Sequence, residues 1–176
     1  VTKETEFSAM LGALAQKPRL VITDSQVFGI ISRLCPKEIP LTSFSILMAR
    51  QKGFLLEAVK GVTAIDRLKD GDTVLISEGC THHRQCKDIG TVKIPQWIEK
   101  FSGAKPDFHF TSGGDFPDDL GAYRVIVHCG GCMLNETEMK HRMERAETQG
   151  VPIVNYGIAI AGMHGSLKRS LELFSD

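Results

Sequence analysis

The alternation of short β-strand patterns with helical patterns is the feature that most constrains the fold of this chain. Apolar runs recur along the sequence, and stretches with helical periodicity separate them. The predicted strands cover residues 20–23, 41–48, 73–77, 107–111, 124–128 and 151–155. Strands that alternate with helices of this length form βαβ units with parallel strands. We therefore predict an α/β fold with a mainly parallel sheet and flanking helices, closed by a single helix that runs through residue 174.

A change of pattern near residues 49–53 divides the chain into two units. Within residues 41–48, Phe44, Ile46 and Met48 alternate with Ser43, Ser45 and Leu47, which predicts a half-buried strand at a sheet edge. An uncovered edge invites pairing with a second chain, so we expect a homodimer. The predicted organisation is a small α/β unit over residues 1–50 and a larger α/β unit over residues 51–176.

The charge balance and the apolar runs argue against two classes of partner. Lys and Arg number 21, Asp and Glu number 21, and the net charge is zero. A nucleic-acid binder needs an excess of basic side chains, so we expect no nucleic acid. The apolar stretch from Ile158 to Met163 is far shorter than the roughly 20 residues that span a bilayer. We expect no membrane contact and, because no signal or transit pattern is present, a cytoplasmic protein.

Three of the five cysteines follow predicted strands. Cys80 follows the strand at 73–77, and Cys129 and Cys132 form C-G-G-C directly after the strand at 124–128. The carboxyl ends of parallel strands meet at one edge of the sheet, where ligands bind, so these thiols are expected to converge. A helix that begins after the C-G-G-C segment favours thiolates near its N-terminus. Three thiolates from two loops form a cradle for an iron–sulfur cluster or for zinc.

Spacing alone leaves two alternatives to an iron–sulfur site. One is a thiol–disulfide oxidoreductase that uses Cys129 and Cys132, and the other is a structural Cys3His zinc module. In an extended chain, residues two apart point to the same side, so His82 shares a side with Cys80. His128 is expected to face away from its neighbour Cys129 unless the strand bends, which makes it a supporting residue.

Two further cysteines are expected to lie outside the site. Cys35 precedes Pro36 at a predicted helix end, which favours a packed side chain. Cys86 lies in the polar segment R-Q-C-K-D, which favours an exposed loop position.

The pattern C-T-H…H-C-G-G-C, with 45 residues between the two histidines, resembles a known signature. The signature is the C-x-H…H-C-x-x-C of HydF, the maturation GTPase family of iron-only (FeFe) hydrogenases. Further segments also look like that family, and together they cover about residues 18–176: V-I-T-D-S-Q-V-F, P-L-T-S-F-S-I-L, E-G-C-T-H-H, G-T-V-K-I-P, V-H-C-G-G-C-M-L-N and N-Y-G-I-A-I. The family has a GTPase domain, a dimerisation domain and a cluster-binding domain.

The resemblance implies both an organisation and a function. The sequence contains no G-x-x-x-x-G-K-[ST] motif to cradle nucleotide phosphates, so the chain is expected to hold no GTPase domain and to be no enzyme by itself. Residues 1–50 then form the dimerisation domain, and residues 51–176 form the iron–sulfur cluster-binding domain.

The resemblance also implies a cofactor, a cargo and partners. A 4Fe–4S cluster would be held by Cys80, Cys129 and Cys132, with one iron open and with His82 and His128 nearby. The homodimer would act as a scaffold, or metallocluster chaperone. It would accept a transient di-iron precursor from two radical-SAM maturases and deliver it to the apo FeFe hydrogenase.

Overall fold

A small α/β unit forms the first part of the structure, a computed structural model that describes residues 1–79, 89–131 and 134–174. In chain order its elements are α1 (Phe7–Ala13), β1 (Val21–Thr23), α2 (Phe28–Leu34), β2 (Leu41–Ser43) and α3 (Phe44–Gln51). The two strands are parallel, and Val21 pairs with Leu41. Apolar side chains from α1, α2 and both strands, such as Phe7, Phe28 and Ile31, pack into a core of their own.

A larger α/β unit follows, built on a parallel sheet. Its elements are α4 (Leu55–Asp66), β3 (Thr73–Glu78), α5 (Ile94–Ser102), β4 (Asp107–Ser112), β5 (Val125–His128), α6 (Glu136–Thr148), β6 (Ile153–Asn155), α7 (Tyr156–Met163) and α8 (Leu167–Leu171). The four strands are ordered β4-β3-β5-β6, and every pairing is parallel. The predicted fold class, a mainly parallel α/β sheet preceded by a small α/β unit, is therefore confirmed.

The strand order places a topological switch point between β3 and β5. From β3 the chain passes through α5 to β4 on one side, and from β5 it passes through α6 to β6 on the other. Ile94 and Ile98 of α5 pack on one face of the sheet, and Ala146 of α6 packs on the opposite face. In open α/β sheets, ligands bind in the crevice outside the carboxyl ends of the strands at such a point.

The strand predicted over residues 41–48 is wrong after its third residue. β2 ends at Ser43, and residues 44–51 form helix α3. Ile46 and Ala49 are fully buried, while Phe44 and Met48 are exposed. The buried pair is three residues apart, which is a helical spacing, and it packs against the core of the larger unit. The short run of alternating apolar residues fits both the two-residue period of a strand and the 3.6-residue period of a helix, so it did not distinguish them.

The single final helix of the prediction is two helices in the structure. α7 ends at Met163, and Gly165 adopts a left-handed φ of 71° before α8 begins at Leu167. Gly165 and Ser166 donate backbone hydrogen bonds back to the last turn of α7, as at many helix ends. The apolar stripe nevertheless continues, because Met163 and Leu167 pack against the same core.

Helix α8 attaches the larger unit to the smaller one. The Arg169 guanidinium donates to the carbonyls of Ser32, Cys35 and Pro36 at the end of α2. Thr42 of β2 donates its hydroxyl to the Ser170 carbonyl at 2.9 Å. A cation at a helix C-terminus is electrostatically favourable, so this contact joins the two units firmly. None of the helices in the described ranges combines the length and the apolar character that crossing a membrane requires.

Candidate metal centre at the switch point of the sheet

The Cys129 sulfur lies where β3 and β5 end, at the switch point. The Cys129 backbone N–H donates to the Ser77 carbonyl of β3 at 2.9 Å, which continues the ladder past the last residue of β5. Its Sγ accepts the backbone N–H of Gly79 at 3.0 Å and that of Gly131 at 3.4 Å. Hydrogen bonds to the charged form stabilise that form, so this arrangement favours a thiolate at Cys129.

Glycines allow the two loops to approach this sulfur closely. Gly131 has a left-handed φ of 63°, and a Cβ there would lie 2.6 Å from the Met139 Sδ. A Cβ on Gly79 would lie 2.7 Å from the Leu134 Cγ. Gly131 is therefore packed against the Met139 side chain of α6 and Gly79 against Leu134, and a larger residue at either glycine would have to displace that side chain.

The other predicted cluster residues lie outside the described residues. This applies to Cys80, His82 and Cys132, and also to Cys86, so their predicted roles stay predictions. Gly79 and Gly131 directly precede Cys80 and Cys132 in the chain, and both donate to the Cys129 sulfur. Among residues 1–79, 89–131 and 134–174, no group of three or more His, Cys, Asp or Glu side chains could hold a metal ion.

His128 is buried behind Cys129, with both ring nitrogens in hydrogen bonds. Its Nε2 lies 3.1 Å from Arg142 Nη1, and because arginine can only donate, Nε2 accepts. Its Nδ1 therefore carries the proton and donates to the Cys129 carbonyl at 2.7 Å. Burial lowers the pKa of His128 to about 4, the hydrogen bond to Cys129 opposes this, and the Arg142 charge lowers it further. His128 is thus a neutral imidazole that reaches the site through the Cys129 backbone.

Arg142 is a buried charge that the sequence analysis missed. Only 2% of its surface is exposed, and it donates to the Glu138 carboxylate at 2.7 Å and to the Gly113 carbonyl at 2.6 Å. Its guanidinium also lies over the Phe116 ring, 4.9 Å from the centroid. The i,i+4 pair of Glu138 and Arg142 resembles an ordinary surface pair in the sequence. The available signal was that Arg142 shares the buried stripe of α6 with Met139 and Ala146.

A polar pair lies at the carboxyl end of the sheet, next to Cys129. Glu78 is the last residue of β3, and the ladder that pairs Ser77 with His128 places Glu78 beside Cys129. The Tyr156 hydroxyl donates to the Glu78 carboxylate at 3.4 Å, and a Cβ on Gly90 would overlap both groups. Neither side chain was predicted as part of the site. Only the strand register indicates their position, because Glu78 is the last residue of β3 and Tyr156 directly follows the last residue of β6.

Cys35 is packed as predicted, and two histidines that were not assigned to the site lie on β4 and α6. Cys35 is 3% exposed in the core of the small unit, and burial raises the pKa of its thiol. His109 lies on β4, where its ring meets Tyr123 edge-on, and His141 is exposed on α6.

The larger unit belongs to the class of open parallel α/β domains, and a hydrogen-bonded cysteine sulfur lies at the switch point of its sheet. The family model described as the hydrogen maturase F tetramerization domain matches residues 56–173, and the one described as the hydrogen maturase F dimerization domain matches residues 1–53. The chain therefore belongs to the hydrogen maturase F family, whose role is in hydrogenase maturation, and the resemblance found in the sequence is confirmed. No curated protein matches the chain.

The descriptions of both matched domains name self-association, as a tetramerization domain and a dimerization domain. Family membership thus supports self-association of this chain. Cluster binding, which the sequence predicts for the second domain, is not part of either description.

Proposed function

We propose that this chain is a scaffold that binds a 4Fe–4S cluster through Cys80, Cys129 and Cys132 and carries a di-iron precursor for the maturation of FeFe hydrogenase. The observation that carries the proposal is the Cys129 sulfur at the switch point. Its two N–H donors belong to the residues that precede Cys80 and Cys132. The residue before Cys80 and the residue before Cys132 are therefore both in contact with the Cys129 sulfur.

The described residues fit an iron–sulfur cluster chemically. Cysteine thiolates hold such clusters, and hydrogen bonds to the sulfurs are a main influence on their reduction potential. Gly79 and Gly131 supply such hydrogen bonds to Cys129. A 4Fe–4S cluster held by three protein thiolates would have one iron without a cysteine ligand. That iron could exchange its ligand, and the cargo would be held there. His128 has both ring nitrogens engaged, so His82 is the candidate histidine for that iron in this proposal.

The proposed partners follow from family membership. They are the apo FeFe hydrogenase, which would receive the di-iron unit, and two radical-SAM maturases, which would supply it. The chain itself would hydrolyse no GTP, since its sequence has no phosphate-binding motif of the P-loop type. Thiolate ligands need a reducing compartment, so we place the protein in the cytoplasm.

A homodimer through the first domain is the proposed unit of assembly. Within the described residues, β1 and β2 pair only with each other, and a two-stranded sheet is marginal on its own. An apolar groove of about 540 Å³ lies beside β1, between Phe7 of α1 and Phe44 of α3. Ile22 and Phe44 expose 41% and 60% of their surface there. A second copy would cover this face and the open strand edge.

Anaerobic reconstitution tests the proposal. The purified chain is incubated with iron and sulfide, and iron, acid-labile sulfide and the EPR signal of the reduced protein are measured. We expect a brown protein with about four irons per chain and an EPR signal that changes on titration with imidazole. A colourless protein with bound zinc, or with a Cys129–Cys132 disulfide and no metal, would contradict the proposal in favour of a zinc module or a dithiol oxidoreductase.

A further inference from the structure

We propose that Arg142 is a positioning residue of the cluster site, which it supplies with a buried counter-charge; the inference rests on the cluster binding proposed above. Arg142 lies on α6, the helix that follows the C-G-G-C segment, and it points back toward the end of β5. Among the residues that the structure describes, it is the one buried Lys, Arg, Asp or Glu side chain.

The contacts of Arg142 lead directly to a proposed ligand. Nη1 donates to His128 Nε2 at 3.1 Å, and His128 Nδ1 donates to the Cys129 carbonyl at 2.7 Å. One imidazole ring therefore separates the guanidinium from the backbone of Cys129. The ring is held between the two contacts and the Phe116 side chain, so it cannot turn without breaking a hydrogen bond.

The charge of Arg142 is only partly neutralised by its own ion pair. Glu138 is its carboxylate partner at 2.7 Å, and the Glu138 side chain is 39% exposed to solvent, which screens its charge. The guanidinium, in contrast, has 2% of its side chain exposed. Because charges interact more strongly where water is excluded, we expect the buried guanidinium to act on the end of β5 more strongly than the exposed Glu138 carboxylate does.

A buried cation at this place matches the charge of the proposed cluster site. Three thiolates outweigh the two positive charges of an oxidised 4Fe–4S core, and reduction adds a further negative charge. A buried cation is costly without such a partner, since removing a charge from water costs several kcal/mol. We therefore expect Arg142 to stabilise the reduced form and to raise the reduction potential of the site.

A purely structural role for Arg142 makes a different prediction. The guanidinium also joins α6 to the Gly113 loop and stacks on Phe116, and both contacts contribute to folding. A structural role changes the free energy of unfolding, whereas it does not shift the potential in opposite directions when opposite charges are removed. The potential of the reconstituted protein separates the two roles.

The experiment is an EPR-monitored redox titration of the reconstituted chain with matched charge variants. R142Q removes the cation and keeps hydrogen-bonding groups, and we expect the ratio of reduced to oxidised cluster at a fixed potential to fall on the order of tenfold, which is about 59 mV for one electron. R142K keeps the charge and is expected to shift the potential less. E138Q removes the anion and is expected to shift the potential upward. E144Q, on the exposed part of the same helix beside Lys140, is the control and is expected to have no effect.

The outcomes distinguish the proposed role of Arg142 from the proposal that the chain binds a cluster. Equal potentials in wild type, R142Q and E138Q, at normal iron content, would overturn the role of Arg142 and leave the cluster proposal standing. If R142Q does not fold, R142M, which also removes the cation and keeps the apolar part of the side chain, takes its place in the same titration, and an unchanged potential in R142M overturns the inference. A wild-type chain that takes up no iron would overturn the cluster proposal and, with it, this inference.

Discussion

Acidification is expected to destabilise the metal-free protein through His128. The pKa of this imidazole is about 4 in the folded chain against 6.5 in the unfolded chain, mainly because burial disfavours the charged ring. Between these values the unfolded state binds more protons, so the free energy of unfolding falls as the pH falls. The full difference corresponds to about 3 kcal/mol, and about 2 kcal/mol of it is expected to be lost between pH 8 and pH 5.

Urea unfolding of the chelator-treated, reduced protein measures this loss. The wild type is compared with His128→Gln, which keeps one donor and one acceptor but cannot titrate. We expect the free energy of unfolding to fall by about 2 kcal/mol more in the wild type than in the variant. Parallel pH curves for the two proteins would refute the argument. An NMR titration of the wild-type His128 ring is the independent check, and a midpoint near pH 6.5 would contradict a buried, neutral imidazole.

Three further predictions concern packing, capping and assembly. A Cβ at Gly61 would lie 2.8 Å from the Val154 Cβ, so Gly61→Ala is expected to lower the free energy of unfolding by about 1–3 kcal/mol, whereas Gly29→Ala, with nothing within 4 Å, is not. Asn135→Ala removes the side-chain cap of α6 and is expected to cost about 1 kcal/mol in the same urea assay, with no loss of secondary structure by circular dichroism. Phe44→Ser is expected to weaken self-association in light scattering without lowering stability, and an unchanged mass would count against the first domain as the dimer surface.

The parallel sheet could be predicted from the sequence because three of its four strands, β3, β5 and β6, are short apolar runs separated from each other by helical stretches. All residues of β5 are buried, which is typical of a strand covered on both faces. The region around α3 could not be predicted in the same way. Its alternating residues fit both periods, and only the packing of Ile46 and Ala49 against the second domain selects the helix.

The chemistry of the site was predictable only for residues whose type carries the signal. Cys129 stands out because a cysteine pair after a strand is unusual. Arg142 and Glu78 do not, because charged residues are common on helices and at strand ends. Their place in the site arises from tertiary contacts, the burial of one α6 face and the register of β3 with β5, which a single sequence does not contain.

The iron content of single cysteine variants tests the central claim most directly. Cys80→Ala, Cys129→Ala and Cys132→Ala are reconstituted anaerobically beside the wild type, with Cys35→Ser and Cys86→Ser as controls outside the proposed ligand set. We expect each of the first three variants to lose most of its iron and its EPR signal, because no other thiolate replaces the missing one. Both controls are expected to keep the cluster. Iron near the wild-type level in any of the first three variants, or a lost cluster in Cys86→Ser, would contradict a site built from Cys80, Cys129 and Cys132.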